Sequence, residues 1–107
     1  MMASAARDYG SELFDAAQRH VAAMGRAFGD GADAQLREMT ARAGAFFAEE
    51  EAQGRPVDVA AAEADLIALL DHAATLARDI PGYPKDRLGE QSFFPALAWF
   101  CPRHPFC

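Results

Sequence analysis

The stretch Cys101-Pro102-Arg103-His104-Pro105-Phe106-Cys107 concentrates the residues of this chain best suited to chemistry. Cys101, His104 and Cys107 recur at three-residue intervals and offer two thiolates and an imidazole, a donor set suited to zinc, copper or haem iron. A closed zinc site needs a fourth ligand, from His20, His72 or a second chain. The two cysteines could instead close a disulfide across a short loop, with an entropic gain of about 2 kcal/mol. Free thiols are the expectation in a reducing compartment.

Aromatic side chains crowd the same region. Phe93, Phe94, Trp99, Phe100 and Phe106 lie among three prolines. Phe93, Leu97 and Phe100 share one face of a short helix and read as core. Phe94 and Trp99 project elsewhere, and with Phe106 they are the candidates for contact with a partner. Cys101-Pro102 also resembles the Cys-Pro dipeptide of haem-regulatory motifs, in which thiolate is an axial ligand and proline turns the chain away.

Other combinations carry less. His20 and His72 sit at the edges of apolar stripes. Ala17 and Leu69 occupy the positions where a carboxylate-bridged diiron bundle places its Glu-x-x-His glutamates. Both histidines read as boundary residues hydrogen-bonded at the bundle surface. Gly29-Asp-Gly31-Ala-Asp-Ala34 matches G-x-G-x-x-A in letters, but a helix precedes it where a dinucleotide fold needs a strand. Ser4, Ser11 and Ser92 lie in no nucleophile-elbow motif. No catalytic residue is assigned.

These residues are positioned by helices. Alanine, arginine, glutamate and leucine are frequent and β-branched residues scarce, which favours helix over sheet. Phe14, Ala17, Val21, Met24 and Phe28 form an apolar stripe, with Tyr9 and Leu13 on its flank, and predict a helix over about 4–28 stopped by a left-handed Gly29. A second helix, about 33–53, starts at Asp33 as N-cap and buries Leu36, Met39, Ala43, Phe46 and Phe47. A third, about 58–80, follows Asp58 as N-cap and has the strongest period: Val59, Ala62, Leu66, Leu69, Ala73, Leu76 and Ile80. Asp15–Arg19, Glu38–Arg42 and Glu51–Arg55 are outward i,i+4 pairs. Residues 81–91 read as a connector. Ser92 then caps a short fourth helix, about 93–101, with Pro95 in its first turn.

The resulting expectation is a single all-α domain over 1–107. It comprises a three-helix antiparallel bundle over 1–80, the connector, and the segment 92–107 packed across the bundle. Many core positions are alanine, so three helices leave an open side for the C-terminal segment, or a second copy, to cover.

The 107-residue chain carries a formal charge of −6, with nine arginines and one lysine, Lys85. That balance repels phosphate backbones and anionic membranes. No apolar run reaches the ~18 residues of a membrane span, and the start lacks the pattern of a signal peptide, so a cytoplasmic location is expected. The leading reading is a non-catalytic interaction module that binds a protein partner or itself. The alternatives are a metal or haem sensor or carrier using Cys101, His104 and Cys107, and a precursor peptide with a helical leader and a modified C-terminal core.

Overall fold

In a computed structural model, residues 7–103 are described. The first helix, α1 (Tyr9–Ala23), is capped by Asp8. Its carboxylate accepts from the Ser11 N–H at 3.0 Å and the Ser11 hydroxyl at 2.8 Å, satisfying a donor the first turn leaves open. The helix ends short of residue 28 because Gly25 takes the left-handed conformation, φ 75°. The Arg26 N–H then donates to the Val21 carbonyl and the Gly25 N–H to Ala22, a Schellman closure. The early stop moves the buried stripe. Tyr9, Leu13, Ala17 and Val21 face the core, while Phe14, Met24 and Phe28 pack at its edge. Tyr9 and Leu13 are thus core residues, not flank.

Gly29 is extended rather than left-handed, and it is the N-cap of α2 (Asp30–Ala52). Asp33, expected to cap this helix, lies in its first turn and pairs with Arg37 at 2.8 Å. α2 closes on Gly54 as α1 does on Gly25, with the Arg55 N–H donating to Glu50 and the Gly54 N–H to Glu51. Arg55 therefore lies past the helix and pairs with Glu50 at 2.6 Å, not with Glu51 as i,i+4 spacing suggests. Glu51 instead accepts from the Tyr9 hydroxyl. The Glu38–Arg42 pair forms; Asp15 and Arg19 do not pair. α3 (Val59–Arg78) begins as expected at Asp58, whose carboxylate accepts from the Ala61 N–H at 3.0 Å.

Two short strands were not foreseen, since two residues carry no period. β1 (Ala27–Phe28) and β2 (Arg87–Leu88) pair in parallel, Ala27 opposite Arg87 and Phe28 opposite Leu88. Each strand runs into a glycine N-cap, Gly29 for α2 and Gly89 for α4 (Glu90–Phe100). A Cβ on Gly29 would stand 3.4 Å from the Gly89 Cα, so α2 and α4 start side by side. A single 3₁₀ turn, Cys101–Arg103, follows α4.

The described residues are all-α apart from this bridge. Tyr9 at the start of α1 meets Phe47 late in α2, ring centroids 5.8 Å apart, so these helices are antiparallel. Their backbones come close at Gly10 and Gly44: a Cβ on Gly44 would lie 2.7 Å from the Gly10 nitrogen. His20 reaches Asp71 at 2.7 Å, and Leu13 faces Ala62 and Leu66, so α1 and α3 run the same way. α2 and α3 barely touch. Phe100 of α4 enters between them, against Met39, Ala43, Ala62 and Leu66. The fourth helix thus covers the side that the first three helices leave open, as expected from the sequence, and packs chiefly on α3. α3, flanked by α1 and α4, buries more than one stripe, adding Leu70, Ala74 and Ala77 to the expected face. Leu36, Leu69, Leu70, Leu88 and Phe93 are fully buried, and each such side chain contributes about 1.5–3 kcal/mol.

Candidate functional site

α4 holds most of the residues singled out in the sequence, and its start explains how it forms. Gly89 has no side chain with which to cap. The Tyr83 hydroxyl accepts from the Gly89 N–H instead. The same hydroxyl donates to Ser92 Oγ at 2.8 Å, and Ser92 donates onward to the Gly89 carbonyl at 3.2 Å. Ser92 is therefore not the N-cap but a fully buried part of a cap supplied by the connector. The helix begins earlier than expected, and Pro95 falls beyond its first turn. There its missing N–H costs one intrahelical bond, on an exposed position.

Two faces of α4 differ. Phe93, Ala96, Leu97 and Phe100 are buried, as their spacing predicts, and Phe93 meets Phe28 edge-on at 6.2 Å. Phe94 and Trp99 are 42% and 38% exposed. The Trp99 ring stacks on His72 of α3, centroids 4.4 Å apart and planes 29° from parallel. Phe46 on α2, 43% exposed, is the third large exposed aromatic among the described residues. Helical spacing puts both Phe46 and Phe47 in the buried stripe; only Phe47 is buried, edge-on against Tyr9.

Cys101 caps α4, is half-buried against the core, and is disulfide-bonded. A bonded sulfur has no thiolate to give a metal. Cys107, His104 and Phe106, the rest of the expected ligand set and the third expected partner residue, lie outside the described residues. Among the described residues, no group of three His, Cys, Asp or Glu side chains is placed to hold a metal ion, and no helix is long and apolar enough to cross a membrane.

Several polar side chains of the helices hold the structure together. His20 bridges α1 to α3 through Asp71. Thr40 returns its hydroxyl to the Leu36 carbonyl at 2.9 Å. Asp8 and Ser11 cap α1, and the Ser11 N–H and hydroxyl hold the Asp8 carboxyl below its ordinary value. The Arg7 guanidinium does the same for Glu12, and Arg55 for Glu50. Compared with protein-family models, curated proteins and solved structures, the chain matches none.

Proposed function

We propose that this chain is a small non-catalytic helical interaction module, binding a protein partner or a second copy of itself through α4. The observation that carries this reading is the division of α4. One aromatic face completes the core, while Phe94 and Trp99 stay at the surface. Large aromatics at a surface are the residues that most often supply binding energy in a protein contact. The stack of Trp99 on His72 holds the indole in one orientation, which lowers the side-chain entropy lost on association.

The test uses Trp99 as its own reporter, since it is the sole tryptophan. Sedimentation equilibrium of the wild type and of a Phe94→Ser/Trp99→Ser variant measures self-association. The wild type is expected to dimerise at micromolar concentration and the variant to stay monomeric. If the wild type is monomeric, the reading requires a foreign protein that blue-shifts Trp99 emission and binds the double variant at least tenfold more weakly. A partner held equally well by both forms would remove α4 from the interface.

A further inference from the structure

The cations of this acidic chain are unevenly used. Arg7, Arg37, Arg42 and Arg55 are paired with Glu12, Asp33, Glu38 and Glu50. Among the described residues, Arg19, Arg26, Arg78, Lys85 and Arg87 make no ion pair. Four of these five gather at one end of the molecule, around the β1–β2 bridge and the end of α3. Three of them, Arg26, Arg78 and Lys85, line a single cleft of about 580 Å³ whose other wall is Met24, Ile80 and Tyr83. Among the described residues, no carboxylate lines it.

We infer that this cleft binds a small phosphate monoester, a dianionic head carried on an apolar or aromatic body. The volume lies within the range of small-molecule sites. Arg26 is already held in place, its Nη1 donating to the Arg87 carbonyl at 2.7 Å, so its remaining N–H groups are oriented before a ligand arrives. Helix dipoles do not account for the cluster. The C-terminal ends of α1 and α3 bring about half a negative charge each, and three full positive charges exceed them. One carboxylate would leave two of the three charges uncompensated, whereas a phosphate dianion leaves one. Met24, Ile80 and Tyr83 give an apolar body a surface that inorganic phosphate cannot use.

Size is limited by the next cleft. On the other side of Tyr83 lies a second one, lined by Asp30 and Glu90 as well as Arg87. Together with the net charge of −6, these acids repel a polyanion extending beyond the first cleft, which selects a small ligand over a nucleic acid.

The test is an amide-resolved NMR titration of the full chain with phenyl phosphate, inorganic phosphate, benzoate and benzyl alcohol. Phenyl phosphate should give saturable shifts at Met24, Ile80 and Tyr83 and bind at least fivefold more tightly than each of the others. An Arg78→Gln/Lys85→Gln variant should weaken it at least tenfold, while Arg42→Gln leaves it unchanged. Arg78 and Lys85 are exposed, so the variant keeps its fold, which the same spectra verify. Absence of saturable shifts, equal binding of benzyl alcohol, benzoate or inorganic phosphate, or indifference to the double substitution would each overturn the assignment. Self-association through Trp99 is read separately, so neither result decides the other.

Discussion

At the scale of single residues, Tyr83 has the largest consequence for its size. One hydroxyl serves both the backbone of Gly89 and the side chain of Ser92, and the residue lines both the cationic and the acidic cleft. Tyr83→Phe removes it without changing the ring, leaving a buried serine and a helix-start N–H short of a partner. Losing such partners costs about 1–3 kcal/mol, and urea unfolding should show a drop of that order. A change within error would mean that water replaces the hydroxyl at no cost. Nothing in the sequence singles out this tyrosine, because its role arises from a fold-back of the connector that no short-range pattern encodes. Asp58, by contrast, was legible because an N-cap is a local contact between neighbours in the chain.

At the scale of elements, the α1–α2 contact depends on two glycines that periodicity passes over. Gly44 lies inside a helix, where glycine is unfavourable by about 0.5–1 kcal/mol relative to alanine. Its Cβ would meet the backbone of Gly10, which cannot rotate away. Overpacking of this kind costs about 1–3 kcal/mol, more than the gain in helix propensity. Gly44→Ala should therefore destabilise the protein despite being the better helix former, by about 1–2 kcal/mol in chemical denaturation. A stabilised variant would show that the helices can separate freely. Helix positions were legible to within a few residues in α2 and α3, since Leu36, Met39, Leu66 and Leu69 repeat cleanly. The end of α1 was not, because Gly25 and Gly29 are both credible stops and only the β1–β2 pairing chooses Gly25. The inward face of α4 was legible from Phe93, Leu97 and Phe100, whereas its start at Glu90, capped through Tyr83, was not.

At the scale of the whole molecule, the chain is two helix–strand–helix units joined through their strands, α1-β1-α2 and α3-β2-α4. They show no sequence repeat, so this organisation had no signal to find. Charge sets the pH range over which the fold is most stable. Glu12, Glu50 and Asp8 titrate below their ordinary values of 4.5, 4.5 and 3.8 through contacts with Arg7, Arg55 and the Ser11 backbone. A depressed carboxylate adds stability that is present above its unfolded pKa and lost as pH falls toward the folded one. Tyr9 titrates above 10.0 because it donates to Glu51 and is partly desolvated. A raised phenol adds stability that is present below its unfolded pKa and lost as pH rises through the folded one. Melting temperature should therefore be level between about pH 5 and 9 and fall on both sides. Thermal melts across that range check this, and Tyr9→Phe should soften the alkaline limb. A profile still level below pH 3 would mean the carboxylates act equally in the unfolded chain.

The place of α4 between α2 and α3 also bears on how the protein is made. Translation delivers Leu36, Met39, Leu66 and Leu69 well before Phe93 and Phe100, the side chains that close over them. While the ribosome is still adding the connector, α1 and α2 can form a hairpin locally. The groove that Phe100 fills must meanwhile stay open to water. A nascent chain in that state displays the kind of apolar surface that chaperones hold, and Leu88, the partner of Phe28, is made before the helix that covers it.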